Sequence, residues 1–449
     1  MQEMAQAATT IRALIQRGMA ERMFPGAVAY VSQRRELAFH EAFGATTWEP
    51  PAPGPTSPIC PIRPVDLGDL FDLASLTKLY TTAVVLWLIE KGILRLEDPV
   101  RNHVPEAAGD WTLEDLLAHR TGTTADLLGE ALRRGIRPCE PAQEAALWSV
   151  IFGCKAEGGL AKGKSHYSDV DFLLAQAACE RATGRRLDEL VSAEILQPLG
   201  LRETCFRPAD PSRCVPTEVD GQWRHRLVVG EVHDEMAATL GGIAGHAGLF
   251  ATAADVGRFC EMWLGIGRQA APAPPTLPRA LEPAGGASSG SAPEHRTPTT
   301  EHFCEGWLAR ALEAQDGPAM RVPATLPRAW EPSGGASSGS VPEHRTPTTE
   351  HRSVERAALL TRATLDLALR PHSRDFGLGW RLCNASFFPS LERFGAVGHL
   401  GFTGTSAFLF PRSQTVFVLL TNRVHPRRDA APSRLPLLGQ AAEVVATWG

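Results

Sequence analysis

Two hydrophobic periods alternate along the chain. Residues 5 to 22 place apolar positions at helical spacing, and PGAVAYVSQ (25–33) followed by ELAFHEAFG (36–44) reads as two strands joined by a short Arg-Arg turn, an antiparallel hairpin. After a Pro-rich loop at 50–64, the stretch from Ser75 to Lys91 carries a long apolar helical pattern, and helical patterns dominate from 112 to 265. Near the end, FGLGWRL, TSAFLFP and TVFVLLTN return to β-branched and aromatic runs, before a helical stretch from Leu437 to Trp448. Strands at both ends with helices between them predict an α/β fold of the α+β type: one antiparallel sheet assembled from both termini, covered by the terminal helices, with a mostly helical lobe inserted and a cleft between the two. The expected division gives 1–93 and 353–449 to the α/β lobe and 94–265 to the helical lobe.

The span 266–352 breaks both periods. TLPRALEPAGGASSGSAPEHRTPTTEH at 276–302 recurs almost unchanged as TLPRAWEPSGGASSGSVPEHRTPTTEH at 325–351, and FCEMWL at 259–264 reappears as FCEGWL at 303–308. Two copies are too few for a solenoid. Rich in Pro, Gly, Ser and Thr, each copy lacks the apolar surface needed to offset ordering entropy, so a largely disordered duplicated insertion is expected.

Composition narrows the partners. A net charge of −5 without a long Lys/Arg run gives no footprint for nucleic acid or an anionic membrane. The most apolar stretch, Ala83 to Ile89, is far short of the ~20 residues that cross a bilayer, and the first residues show no apolar core of an export signal. The 9 cysteines, scattered and without a CxxC pair, form neither a disulfide framework nor a zinc pattern. A cytoplasmic protein without cofactor or metal is the expectation.

Three segments carry candidate chemistry. Ser75-Leu76-Thr77-Lys78 opens an apolar helix and places hydroxyl and ammonium on one face near its start; a buried lysine whose pKa is lowered can take the serine proton, or can lower that of a neighbouring phenol. The bland alternative is an N-capping Ser75 and a solvated Lys78. Tyr167-Ser168-Asp169 follows a Gly/Lys loop and precedes an apolar helical run; Tyr167 could supply a phenolate base or a leaving-group acid, and Asp169 could accept from Lys78. The alternative makes Ser168 or Asp169 a helix cap and Tyr167 a packing residue. In GHLGFTGTS (398–406), glycines flank His399 ahead of a strand, a pattern that marks close backbone approach; an edge strand there could pair with an extended substrate, and the Phe402 N–H could join that of Ser75 in an oxyanion hole.

In order and spacing, SLTK, YSD and HLG resemble the three motifs of the penicillin-binding-protein and β-lactamase superfamily of serine hydrolases. Further segments are similar to its class C β-lactamase-like branch: FDLASLTKLYTT, LRLEDPVRNHVPE, LEDLLAHRTGT, GGIAGHAGLFATAADVGRF and VFVLLTNRVHP. Only 266–352 falls outside the resemblance. It implies the β-lactamase/transpeptidase-like fold, with Ser75 as acylated nucleophile, Lys78 and Tyr167 as the proton-shuttling pair, backbone N–H groups of Ser75 and Phe402 as oxyanion donors, and His399 with Gly401 lining the cleft. Asp169 stands where the family carries an amide, and an ionised carboxylate only accepts. His399 replaces a lysine, and a mostly neutral imidazole grips a substrate carboxylate less. Both departures favour small esters or D-amino-acid peptides and amides over β-lactams. A β-lactamase, a D-Ala-D-Ala carboxypeptidase and a non-catalytic binding protein that keeps the fold are the alternatives.

Other matches carry less. GASSG at 286–290 and its repeat at 335–339 fit the nucleophile-elbow pattern but lack the strand and helix it needs. His233-Asp234-Glu235 has no metal-ligand spacing and reads as a loop or helix start, and His295, His302, His344 and His351 of the repeats read as solvated. His246, in a Gly-rich loop, is a candidate substrate contact, and Thr252 with Asp255 reads as a capping box.

Overall fold

The computed structural model describes residues 2–48, 62–156, 163–265, 359–429 and 431–448. The elements begin α1 (Gln2–Ala20), β1 (Gly26–Gln33), β2 (Glu36–Gly44), β3 (Phe71–Asp72) and α2 (Thr77–Glu90). The helical stretch holds α3 (Leu113–Leu117), α4 (Leu127–Arg133), α5 (Glu144–Gly153), α6 (Asp169–Thr183), α7 (Leu187–Leu190) and α8 (Gln197–Leu199). Short strands β4 (Thr204–Phe206), β5 (Val219–Asp220) and β6 (Arg226–Leu227) follow, then α9 (Glu235–Thr239), β7 (Leu249–Ala251) and α10 (Ala253–Trp263). The C-terminal part gives α11 (Arg362–Leu369), β8 (Arg381–Leu382), β9 (Val397–Leu400), β10 (Ser406–Phe410), β11 (Thr415–Thr421) and α12 (Leu435–Ala446).

The predicted hairpin forms, and its two turn residues show why. Arg34 and Arg35 both take positive φ, 51° and 68°, the turn whose hand matches strand twist. β1 pairs on its other side with β11, Ala27 opposite Thr421, so strands from the two ends of the chain lie adjacent inside the sheet. The order is β2-β1-β11-β10-β9-β8, antiparallel throughout. Side chains alternate between its faces. Ala27, Ala29, Val31, Phe408, Phe410, Phe417 and Leu419 pack with residues of α1 and α12, whereas Val28, Tyr30, Ala407, Leu409, Val416, Val418 and Leu420 join the larger core with α2, α6 and α10. Burial on both faces is what makes these strands read as unbroken apolar runs.

Helix α2 is buried on every side from Thr77 to Leu86, and Lys78 is buried with it. FGLGWRL yields only the two-residue β8 because its glycines serve close approaches instead: a Cβ on Gly379 (φ +73°) would lie 2.2 Å from Thr82 Oγ1, and one on Gly377 2.3 Å from the Ala368 carbonyl. The edge strand expected at GHL is edge only in part: β9 pairs with β10 along its length, and β8 pairs its other side at Val397 and Gly398 but not at His399 and Leu400. Helix α10, the last element of the 94–265 span, lies on the sheet, where Tyr30 Oη donates to Glu261 Oε1 at 2.9 Å. The expected capping box at its start is half made: Thr252 accepts from the Asp255 N–H, while the Asp255 carboxylate turns to the Glu203 N–H at 2.8 Å. The duplicated insertion, its GASSG matches and its histidines lie outside the described residues. Among the described residues no helix is long and apolar enough to cross a membrane.

Candidate active site

A single 3-10 turn, Ala74–Leu76, carries Ser75 into α2. Its entry is strained: Ala74 has φ +45°, a conformation non-glycine residues rarely adopt. The carboxylate of Asp72 holds that entry by accepting the Ala74 N–H at 2.8 Å. Ser75 caps nothing, so the bland reading of this serine fails. Three residues on from Ser75, at the second position of α2, Lys78 Nζ donates to Ser75 Oγ at 3.0 Å, to Asp169 Oδ1 at 2.7 Å and to the His246 carbonyl at 3.2 Å. Tyr167 Oη donates to the same Ser75 oxygen at 2.9 Å, and the ammonium lies 4.9 Å from the phenol ring centroid. Hydroxyl, ammonium and phenol, up to 92 residues apart in the chain, thus meet at one atom.

The electrostatics bear on which of the two roles open to Lys78 it plays. Burial pushes its pKa down, but the Asp169 carboxylate, followed by Tyr167, more than reverses this, and the pKa is raised. The raised value favours Lys78 as a cation beside Ser75 over a free amine base. Burial pushes the Tyr167 phenol up to about 12 against the pull of Lys78. Asp169 opens α6 and keeps some solvent exposure, whereas Ser168 is the cap, accepting the Val170 N–H at 3.2 Å. His246 meets Lys78 through its carbonyl; its ring Nε2 lies 3.0 Å from Asp234 Oδ1. Asp234 also caps α9 by accepting the Ala237 N–H, the helix-start role read from its sequence. Asp169, Asp234 and His246 each bring a polar atom within 4.8 Å of the others. The Lys78 ammonium already supplies the counter-charge there, and we assign no metal to it.

The third segment reaches Ser75 through a tight loop. Thr403 Oγ1 donates to the Asp72 carbonyl at 2.7 Å and Thr405 Oγ1 to that of Leu73 at 2.9 Å, tying 401–405 to the backbone just before the serine. Gly401 is required: a Cβ would lie 2.0 Å from Thr405 Oγ1 and 2.5 Å from the Leu73 carbonyl. Phe402, the next residue, faces His233 with ring centroids 5.7 Å apart, and the Arg428 guanidinium lies 5.7 Å from its ring centroid. His399 is buried, its Nδ1 3.0 Å from the Leu400 carbonyl and its ring 6.1 Å from that of Tyr167. Burial first, and then the Lys78 charge, hold it well below the ordinary histidine range, so the imidazole is neutral.

Two supporting groups have no sequence signature of their own. Arg428 Nε donates to Glu218 Oε2 at 2.7 Å and Nη2 to Glu235 Oε1 at 2.6 Å, with His233 Nε2 2.9 Å from Glu218 Oε2. The His233 N–H donates at 2.6 Å to Asp72, which joins this ionic cluster to the turn before Ser75. On the other flank, His119 and Asp171 lie wholly buried behind Tyr167, His119 Nδ1 2.9 Å from Asp171 Oδ2. The segment LEDLLAHRTGT contains His119, but spacing alone cannot show that it reaches a residue 52 positions later.

A family model for Beta-lactamase matches residues 11–440. A putative D-alanyl-D-alanine carboxypeptidase of Escherichia coli K12 is 32% identical over 219 residues, 42% of this chain and 50% of its own length. Its counterpart from Salmonella agona is 29% identical over 218 residues, with the same shares. The chain spans about half the length of the curated relatives it matches. Among solved structures, EstCE1, a hydrolase with promiscuous acyltransferase activity, superposes with a TM-score of 0.62 at 17% identity, covering 100% of this chain and 99% of its own. A class C beta lactamase gives 0.58 at 14% identity, covering 99% and 98%. The octameric penicillin-binding protein homologue from Pyrococcus abyssi gives 0.58 at 16%, covering 97% and 76%. These likenesses share the β-lactamase/transpeptidase architecture described above, an antiparallel sheet with helices on both faces. With a family model running across nearly its whole length, the chain belongs to the beta-lactamase family.

Proposed function

We propose that the chain is a serine hydrolase working through an acyl-enzyme on small esters or D-amino-acid amides and peptides. The observation that carries this reading is the Ser75 oxygen, held at 3.0 Å by Lys78 Nζ and at 2.9 Å by Tyr167 Oη. Ser75 Oγ attacks the carbonyl carbon; Tyr167 takes the serine proton as it hands its own to the departing oxygen or nitrogen, so the phenol is never left charged for long beside a carboxylate. Lys78 stabilises the transient negative charge. The backbone N–H groups of Ser75 and Phe402 receive the developing oxyanion, and water then releases the acyl group. Asp169, His399, Gly401 and His246 line the substrate side.

The neutral His399 favours a substrate without a carboxylate at that position, and hence esters over β-lactams. A carboxypeptidase reading has the names of the curated relatives in its favour. The reading places the protein in a reducing compartment, the cytoplasm, in keeping with seven described cysteines that are all free thiols. A fluorophosphonate probe tests the core of it: the wild-type chain is labelled at Ser75 and Ser75→Ala is not. An unlabelled wild type points instead to a binding protein. A panel of short p-nitrophenyl esters, D-Ala amides, D-Ala-D-Ala peptides and nitrocefin then separates the substrate classes.

A further inference from the structure

The residues on either side of Tyr167 both bond to one histidine. The His166 N–H donates to the His119 carbonyl at 2.9 Å, and the Ser168 N–H donates to His119 Nδ1 at 3.3 Å. Between these two bonds the His119 ring lies against the phenol, centroids 4.6 Å apart, with Phe172 and Phe376 on its other sides at 5.3 and 4.7 Å. His119 itself takes φ +52°, strained backbone of the kind held in place only where its surroundings demand it. Backbone bonds before and after Tyr167, together with a ring contact, leave the phenol little freedom except to point at Ser75.

The same geometry places a proton. An N–H aimed at Nδ1 requires that nitrogen to be an acceptor, so it carries no hydrogen. Yet Asp171 Oδ2 lies 2.9 Å from it, and an ionised oxygen there would set two acceptors against each other. The other oxygen, Oδ1, lies 2.5 Å from Thr121 Oγ1 and 3.0 Å from Thr123 Oγ1. No side-chain cation bonds to Asp171 among the described residues.

We propose that His119 is a positioning residue for Tyr167, kept in its neutral form with Nδ1 as acceptor by a carboxylic-acid proton that Asp171 retains inside the folded domain. This rests on Tyr167 serving as the proton-transfer group. The charged and titratable groups facing His119 are Lys78 from α2, Asp169 and Asp171 from α6, His166 and Tyr167 on the turn, Arg381 from β8 and His399 from β9; those facing Asp171 include His119, His166 and Asp169. Burial first, and then Lys78, hold His119 well below the usual histidine range, and burial holds Asp171 well above the usual carboxylate range, in accord with a neutral pair.

Infrared spectroscopy on the full chain at neutral pH tests the proton directly. A difference spectrum against Asp171→Asn should show the carbonyl band of one protonated carboxylic acid. The amide donates to Nδ1 and accepts from the threonines as the neutral acid does, so Asp171→Asn should keep kcat on an acetyl ester within about threefold. Asp171→Leu and His119→Phe, the second keeping the ring but losing the acceptor, should lower kcat at least about tenfold while KM moves less than about threefold. Asp171→Leu tests packing as well, so His119→Phe carries the result if the leucine variant fails to fold. Absence of the acid band, or an asparagine variant as impaired as the leucine one, overturns the proposal. The band reports the proton without any turnover, so a wild type no more active than Ser75→Ala would overturn the hydrolase reading separately.

Discussion

On one flank of Ser75 the Tyr167 turn is held by His119 and Asp171, a pair wholly buried and neutral. On the other, the Asp72 turn and the Phe402 loop are held by Glu218, Arg428, His233 and Glu235, where the carboxylates and the guanidinium are bonded as ions. The difference follows from what each flank offers its groups. The Tyr167 side buries His119 completely and already holds the Lys78 ammonium close by, so a second cation there is opposed, first by burial and then by that charge, and the pair settles with its proton on the acid. The sheet side receives Arg428 from the chain after β11, and once that charge is buried, Glu218 and Glu235 must accompany it. A backbone can thus be fixed with or without net ionisation. The two solutions should be told apart by pH, because they carry opposite proton linkage.

The largest effect should come from removing the atom where the flanks converge. Ser75→Ala is expected to lower kcat by about four orders of magnitude or more, and in that background neither flank's variants should change the residual rate, since groups acting as one unit are not additive. Turnover on an ester by each double variant checks this.

Next comes Glu218→Gln, which leaves Arg428 with one carboxylate fewer in a buried place and should cost about 3–5 kcal/mol in urea unfolding. Burial alone would raise the Glu218 carboxyl, but His233 and Arg428 hold it down at about 2. Its folded value lies below its unfolded one, so its stabilisation is present above about pH 4.5 and fades as pH falls toward 2. The glutamine variant should therefore lose its deficit across that window.

Asp171→Asn should act in the opposite sense. The folded acid keeps a proton that the unfolded chain releases above about pH 4, so this group makes folding less favourable as pH rises through that value. Without a titrating proton the variant should be about 4 kcal/mol more stable than wild type at pH 7, about 1.4 kcal/mol for each pH unit above the unfolded value, with the gain vanishing below about pH 4. Equal losses for Glu218→Gln and Asp171→Asn at pH 7 would break the comparison. The smallest effect is expected for Thr405→Val, which leaves the Leu73 carbonyl without its hydroxyl donor: about 1 kcal/mol in stability, and a larger relative loss in kcat than in KM through the Phe402 loop.

How much of this was legible depends on the reach of each signal. The hairpin, the closing strands and the terminal helices follow from periodicity, because one side chain in two, or in 3.6, senses the core wherever the partner lies. Ser75, Lys78 and Tyr167 could be named because three short segments stood in a familiar order. That Lys78 stays a cation instead of becoming a free base was not legible, since it depends on Asp169 at 2.7 Å, a distance that no spacing encodes. FGLGWRL misled for a related reason: its glycines make room for Thr82 and the Ala368 carbonyl rather than continuing a strand. His119 and Asp171 left no trace because each bonds across the fold, and a single buried histidine has no period.

One feature of the sheet bears on how the protein is made. The pairing of Ala27 with Thr421 puts residues 28–420 between two strands that are neighbours in the sheet. During synthesis, the apolar surface of β1 can find β2 at once but must wait for its second neighbour until the ribosome has released the last strand. Nascent molecules therefore carry a half-covered ribbon for as long as the residues between β1 and β11 are being made, a stage at which holding chaperones should bind and any stall should expose the product to proteolysis.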